Sequence, residues 1–445
     1  MATETAPSMN QPASDRVEPF IPENETFGTL GIADLQHHLT LLQWFKELVH
    51  EDKAEDSKFL LLAEQRYEAW TEVLGRLAHE PTKLPLPPID VVYMWHAHML
   101  SPFKYYEDVH YLGQYPQEAH KISLPFRKLH DTYNNHREAD PSDQAEWVRL
   151  TGLPYKLDPT IHEHYMLRCP WCTHSNPVAW SGILEERTKR RSKFKTECGQ
   201  CHIPLSRDTI GGYRFWSDVH RHLTEGPEYY LRSTLISRVA GIPDQTIASK
   251  NHTIIFDGLT GTQALDRRQD WRKCQWKVID ASLNEVRRRT IRRRRWRAVT
   301  PKFLENLTAV YREMMAPFSL DLCLAVLRQR SFTDTMCHIP WNNPESLGVA
   351  IKRYKCFMSL MCNFPKSAKV PTIDIDLVWH THQLHPALYY DFCFRHTRRF
   401  IDHDDTIGKS RLEALFRDTA LCWSRQYRQP YTIDALNDQY LSKTR

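Results

Sequence analysis

The sequence predicts a mainly α protein, with two repeated helical-bundle units flanking a small α+β insert of zinc-ribbon type. Three observations predict it. Apolar residues recur every three or four positions through both flanks, as an amphipathic helix requires. One motif is written twice: Trp95-His-Ala-His98-Met-Leu100-Ser-Pro102 and Trp379-His-Thr-His382-Gln-Leu384-His-Pro386, at a constant offset of 284 (380 − 96). Between the two copies lie paired C-x-x-C sequences and the only convincing strand signals.

Residues 1–29 are polar and read as a disordered lead-in, without the basic start and apolar run of a secretory signal. The first unit, 30–155, opens with Leu35-Gln-His-His-Leu39-Thr-Leu-Leu42-Gln-Trp-Phe45, a helical pattern with Asp34 at the expected N-cap. A second helix follows through Leu60, Ala63, Tyr67, Trp70, Leu74 and Leu77. The prolines of Lys83-Leu-Pro-Leu-Pro-Pro88 then stop it before the Trp-His segment, where Asp90 reads as an N-cap; Tyr105-Tyr106 lies on the helix beyond. The insert, 156–299, carries His252-Thr-Ile-Ile-Phe256 ahead of the turn-prone Asp257-Gly258. The second unit, 300–445, repeats the plan with Leu320–Gln329, Leu347–Met361, Asp374 as N-cap and Tyr389-Tyr390. Arg66-Tyr67 answers Arg353-Tyr354 at an offset of 287 (353 − 66), so the proline-bearing connection is three residues shorter in the second copy.

With 445 residues there is ample chain for two or three domains. The net charge of +5 hides an asymmetry: windows 187–195 and 287–297 hold six and eight basic residues and no acid. The remainder carries 45 (59 − 14) basic residues against 54 acidic ones. Arg190, Arg191 and Arg292, Arg293, Arg294, Arg295 are therefore the candidate contacts to a nucleic-acid backbone or a protein partner, with a solvated basic face as the alternative. No segment reads as a membrane span, and the expected location is cytoplasmic or nuclear, where most of the eleven cysteines stay reduced. Glycine-rich phosphate loops, Gly-x-Ser-x-Gly and His-Glu-x-x-His are absent, and no small-molecule substrate is indicated.

The clearest chemical motif is Cys169-Pro-Trp-Cys172, twenty-five residues, then Cys198-Gly-Gln-Cys201. Four thiolates in two knuckles fill a tetrahedral zinc, leaving no open position for substrate, so this zinc organises the fold. A redox pair is the alternative reading, and His174 or His202 stands close enough in sequence to replace one sulfur.

The Trp-His segments depend on local geometry. In a strand, residues two apart share a face and bind one metal together; in a helix they diverge by about 200°. The helix is favoured, with Asp376 four residues before His380 as its partner and His382 packed beside Trp379. The second copy adds His385 and a downstream Asp402-His403-Asp404-Asp405. His380, His382, His385, His403, Asp404 and Asp405 thus form a candidate second site for a divalent metal of mixed His/carboxylate type. The competing reading is that both Trp-His pairs are packing devices, which their presence in both copies also explains.

Arg328-Gln-Arg-Ser-Phe332, Arg353-Tyr354, Val370 through Pro386, Asp402–Asp405 and Leu412 to Tyr427 with Trp423 resemble the glycine-rich domain-containing protein-like family, a domain of unknown function in plants and fungi. The resemblance covers roughly residues 30–155 and 300–431. It implies no catalytic residues; some plant members add an RNA-binding domain and a glycine-rich tail, neither of which occurs here. Two functional expectations follow: an intracellular interaction protein with a structural zinc, or a metal-dependent enzyme with its centre in the second unit.

Overall fold

A computed structural model describes residues 30–110, 116–134, 138–189, 194–225, 230–237, 242–243, 255, 274–292, 301–312, 314–341, 343–365 and 367–432. Within these the protein is mainly α, as the periodicity predicts, and its only ladders are three two-stranded antiparallel pairs. The chain divides into two compact units. The larger comprises Phe27–Pro340 and His380–Asp405; the smaller comprises Met1–Thr26, Trp341–Trp379 and Thr406–Arg445.

In the larger unit, α1 (Ile32–Glu47) buries Leu35, His38, Leu41, Leu42 and Phe45, the stripe that its spacing prescribes. Each of its fully buried apolar side chains contributes about 1.5–3 kcal/mol toward the ordering cost of the helix. The helix starts three residues before the expected point. Gly31 occupies the cap in an extended conformation, and Asp34, now in the first turn, accepts the Gly31 N–H at 2.9 Å. Next, α2 (Lys53–Leu77) is capped by Asp52, which accepts from Ala54 and Glu55 N–H at 2.9 Å. After the proline connection, α3 (Ile89–Met99) carries the first Trp-His pair and α4 (Pro102–His110) the double tyrosine. α5 (Phe126–Tyr133) packs on α1, and α6 (Pro141–Thr151) ends at Gly152, whose φ of 70° favours glycine.

The insert opens with β1 (His164–Arg168) and β2 (Ser175–Ala179), paired from His164↔Ala179 to Arg168↔Ser175. Tyr165 and Leu167 point inward from one strand, Asn176 and Val178 from the other. After α7 (Trp180–Lys189), β3 (Thr196–Glu197) pairs with β4 (Pro204–Leu205), and β5 (Ile236–Ser237) with β6 (Ile242–Pro243). Helices α8 (Arg207–Glu225), α9 (Trp276–Arg292) and α10 (Pro301–Arg312) bury Phe215, Trp276, Ile279, Leu307 and Tyr311 in a common core. Two consecutive glycines on α8 make that packing close. A Cβ at Gly211 would stand 2.2 Å from the Tyr311 carbonyl oxygen, and one at Gly212 would stand 1.7 Å from that of Cys274. Of the expected strand 252–256 only Ile255 lies within the described residues, buried in this core. The larger unit also contains α11 (Leu322–His338), capped by Asp321 and packed on α1 and α3, and α14 (Pro386–Thr397).

The smaller unit pairs α12 (Pro344–Asn363) with α15 (Lys409–Tyr427). Between them in sequence, α13 (Ile373–Gln383) carries the second Trp-His pair.

Candidate metal sites

The two C-x-x-C segments fold into knuckles of the same backbone form. In the first, Cys169 N–H donates to the His174 carbonyl at 2.9 Å and Thr173 N–H to that of Cys169 at 3.0 Å. In the second, Cys198 N–H donates to Ile203 and His202 N–H to Cys198, both at 3.0 Å. The residue after each second cysteine is left-handed, Thr173 at φ 61° and His202 at φ 58°. This tight path turns backbone N–H groups toward sulfur: Trp171 and Cys172 donate to Cys169, Gln200 and Cys201 to Cys198, and Ile203 to Cys201.

The knuckles face one another. Cys169 Sγ lies 3.7 Å from Cys201 Sγ, and Cys172 Sγ lies 3.5 Å from Cys198 Sγ. A tetrahedron of 2.3 Å Zn–S bonds has edges of about 3.8 Å, whereas a disulfide needs about 2.05 Å. All four sulfurs lie within 4.8 Å of one another. Burial pushes the Cys169 thiol well up and Cys201 to about 11. For Cys198 burial acts in the same direction, but the N–H groups of Cys201 and Gln200 and the neighbouring thiols outweigh it and bring it to about 6. Thiols this close cannot all ionise unaided; a dication among them removes that obstacle.

Neither nearby histidine joins the four sulfurs. His202 Nδ1 meets Glu197 Oε1 at 3.0 Å on the surface, and His174 belongs to no ligand group among the described residues. Asn176, which the motif did not reveal, links the knuckles: its side-chain amide donates to the His174 and Leu167 carbonyls, and its Oδ1 accepts the Gly199 N–H at 2.9 Å. Trp171 and Ile203 anchor the knuckle tips against the insert's helical core.

Both Trp-His segments are helical, so successive histidines diverge. His96 Nε2 meets His38 Nε2 at 3.0 Å, while His98 bridges Tyr67 Oη (3.0 Å, through Nδ1) and Asp108 Oδ2 (3.2 Å, through Nε2). Asp108 also accepts the Ser319 N–H at 2.7 Å. Burial raises its carboxyl, but His98, Arg232 and that N–H prevail and lower it. In the second copy, His380 Nε2 meets His403 Nε2 at 3.1 Å beneath the Phe332 ring. His403 Nδ1–H donates to the Leu100 carbonyl at 3.2 Å, which fixes the orientation of the ring. Burial, aided by neighbouring imidazoles, holds His38 and His380 well below the usual histidine range, and burial brings His96 and His382 to about 3, so these rings are neutral at neutral pH.

The structure divides the other candidates. His382 packs edge-on against Tyr389 and Phe392, both at 5.2 Å, and His385 lies against Phe126 at 5.5 Å. Asp405 accepts from Arg328 Nε at 3.0 Å and Gln329 Nε2 at 3.1 Å and enters no ligand group among the described residues. Asp404 is exposed and enters no ligand group among the described residues. Arg190, Arg191, Arg293, Arg294 and Arg295 lie outside the described residues, and Arg292 closes α9. Asp90 and Asp374 are not caps. Each sits inside its helix and binds an arginine at 2.6 Å, Arg66 and Arg353 respectively. No described helix is long and apolar enough to cross a membrane.

The sequence model of the glycine-rich domain-containing protein-like family matches residues 32–108 and 279–392. Glycine-rich domain-containing protein 1 of Arabidopsis thaliana is 38% identical over 119 residues, covering 25% of this chain and 14% of that protein. Glycine-rich domain-containing protein 2 of the same plant is 36% identical over 119 residues, covering 25% of this chain and 15% of that protein. The chain thus spans about a seventh of the length of these curated relatives. No solved structure matches. Over the two matched segments, which contain both Trp-His helices, the chain is similar to the glycine-rich domain-containing protein-like family.

Proposed function

We propose that this protein is a non-enzymatic interaction protein, in which Cys169, Cys172, Cys198 and Cys201 hold a structural zinc and the arginine-rich segments meet an anionic partner. The observation that carries the zinc is the pair of like-shaped knuckles with sulfurs at 3.5 and 3.7 Å. Four thiolates saturate the ion, so its contribution is folding free energy and not catalysis. The hairpin that bears the first knuckle is tied to α2: Arg168 pairs with Glu72 at 2.6 Å, and Gln65 donates to the Met166 carbonyl at 2.6 Å. Metal loss therefore loosens the insert's grip on the first helices. The partner reading rests on the fourteen basic residues of windows 187–195 and 287–297 against an otherwise acidic chain. Replacing Arg292 to Arg295 with glutamine should abolish salt-sensitive binding to an RNA or DNA oligonucleotide; binding that ignores ionic strength contradicts it.

A second reading has its own observation. His380 and His403 present Nε2 atoms 3.1 Å apart, one oriented by a backbone carbonyl, as metal-bound histidines are by their outer contacts. Asp376 precedes His380 by one turn of α13. This reading predicts a second equivalent of divalent metal that His403→Ala removes while the thermal midpoint is kept. Retention of the same metal content in that variant eliminates it.

A further inference from the structure

In the smaller unit Lys369 is buried as far as its ammonium. Lysine normally carries that charge to water, yet this side chain is 0% exposed. All three of its protons find acceptors: Nζ donates to Ser367 Oγ and Asp418 Oδ2, both at 3.0 Å, and to Cys422 Sγ at 3.6 Å. Cys422, on α15, is itself only 8% exposed. An amine nitrogen and a thiol sulfur, two of the stronger side-chain nucleophiles, are thus held in contact inside the fold. The backbone beside them is fixed as well, since Val370 N–H donates to Thr419 Oγ1 at 3.1 Å, three residues before Cys422.

The scaffold does not need this pair. In the first copy Leu86 N–H donates to Asp143 Oδ1 at 2.9 Å, the same contact at offsets of 284 (370 − 86) and 276 (419 − 143). Those offsets set Pro85 against Lys369 and Glu146 against Cys422, so the first copy keeps the junction with neither nucleophile. Docking the connection on the following helix therefore accounts for Thr419, and leaves the buried lysine beside a cysteine to another role. Access narrows that role. A residue 8% exposed admits a small oxidant but not a bulky thiol, so the group within reach of an oxidised Cys422 is the Lys369 amine.

We infer that Cys422 and Lys369 are a modification site, which hydrogen peroxide converts to a reversible sulfur–nitrogen cross-link. The thiol reduces the peroxide by two electrons, giving Cys422 sulfenic acid and one water. Lys369 passes one proton to Asp418, whose half-exposed side chain returns it to solvent. The amine lone pair then attacks Sγ, the S–O bond breaks, and hydroxide leaves as water with a second nitrogen proton. The Sγ–Nζ bond ties the connection at Ser367 to Val370 onto α15, as a disulfide would, and spares the sulfur from irreversible oxidation. The test treats the purified full-length protein with hydrogen peroxide, then digests it and reads the peptides by mass spectrometry with and without dithiothreitol. A peptide pair joined through Lys369 and Cys422 is expected, about 2 Da lighter than the sum of its parts and separated again by dithiothreitol. Lys369→Arg keeps a cation but offers no amine, so there Cys422 should be trapped by dimedone or pass on to the sulfinic acid. Cys422 recovered from the parent as sulfinic acid or a dimedone adduct without the linked peptide, or left as the thiol, overturns the inference. The parent decides it even where the arginine variant fails to fold.

Discussion

Arg66 makes more contacts than any motif reading assigns to it. It binds Asp90 at 2.6 Å, donates to the carbonyls of Pro154 and Tyr155 at 2.6 and 2.7 Å, and stacks on Trp147 at 5.3 Å. In the smaller unit Arg353 binds Asp374 at 2.6 Å, donates to the Tyr431 carbonyl at 2.6 Å and stacks on Trp423 at 5.1 Å. Arg66→Ala strands a buried carboxylate and should lower unfolding free energy by about 3–5 kcal/mol; Arg66→Lys keeps the charge but loses the planar fork, and should recover less than half of that. Urea unfolding checks both, and a lysine variant as stable as the parent contradicts the assignment. The sequence displayed this arrangement without announcing it. Trp147 to Tyr155 and Trp423 to Tyr431 share Trp-x-Arg and a terminal Pro-Tyr at an offset of 276 (423 − 147), with left-handed Gly152 and Arg428 at the equivalent turn. What sequence could not supply was the pairing of Asp90, which looks like a cap until α2 is laid against α3. Asn176 is similar: Asn176→Ala removes the bridge between the knuckles and should weaken zinc retention against a chelator severalfold, read by competition with a chromogenic dye.

At the level of elements, the helical form of the Trp-His segments was legible because histidines two apart were flanked by residues at helical spacing. Their partners were not, since His38 and His403 come from distant stretches of chain. Equivalent positions also diverge. Asp108, which holds His98, corresponds at the offset of 284 to Phe392, against which His382 packs, so one polar chain is replaced by an aromatic contact. Neutral buried histidines carry a pH signature. His38 and His96 bind no proton in the fold near neutrality, whereas the unfolded chain protonates them near 6.5. The unfolded state therefore binds more protons below about pH 6.5, down to about pH 3 for His96, and stability falls as pH drops through that window, by about 1.4 kcal/mol per pH unit for each ring that stays neutral in the fold. Unfolding free energy should be about 3 kcal/mol lower at pH 5.5 than at pH 7.5 on account of this pair. A His38→Leu/His96→Phe variant should lose that part of the dependence, and an unchanged slope would refute the account. The glycine pair at 211–212 shows a further limit. Its role is set by two carbonyls sixty and more residues away, Cys274 and Tyr311, which no local pattern names.

For the whole molecule, periodicity and the doubled motif were sufficient to give the mainly α class and the family resemblance, because both are encoded locally and repeatedly. The insert was harder. Its helical core draws α10 onto α8 and α9, an association built from Trp276, Tyr311 and Phe215 and visible only once the chain is folded. The cysteine knuckles were legible because ligand spacing is itself the chemistry, and the shared backbone turn at Thr173 and His202 gives them a common form. The central claim is that these four sulfurs hold one structural zinc. Metal content per chain, measured by mass spectrometry on the purified full-length protein beside its Cys169→Ser/Cys172→Ser variant, tests it most directly. One zinc in the parent, and in the variant its loss together with a lower thermal midpoint, is the predicted result. A parent without zinc, or a double variant that keeps both metal and midpoint, contradicts it.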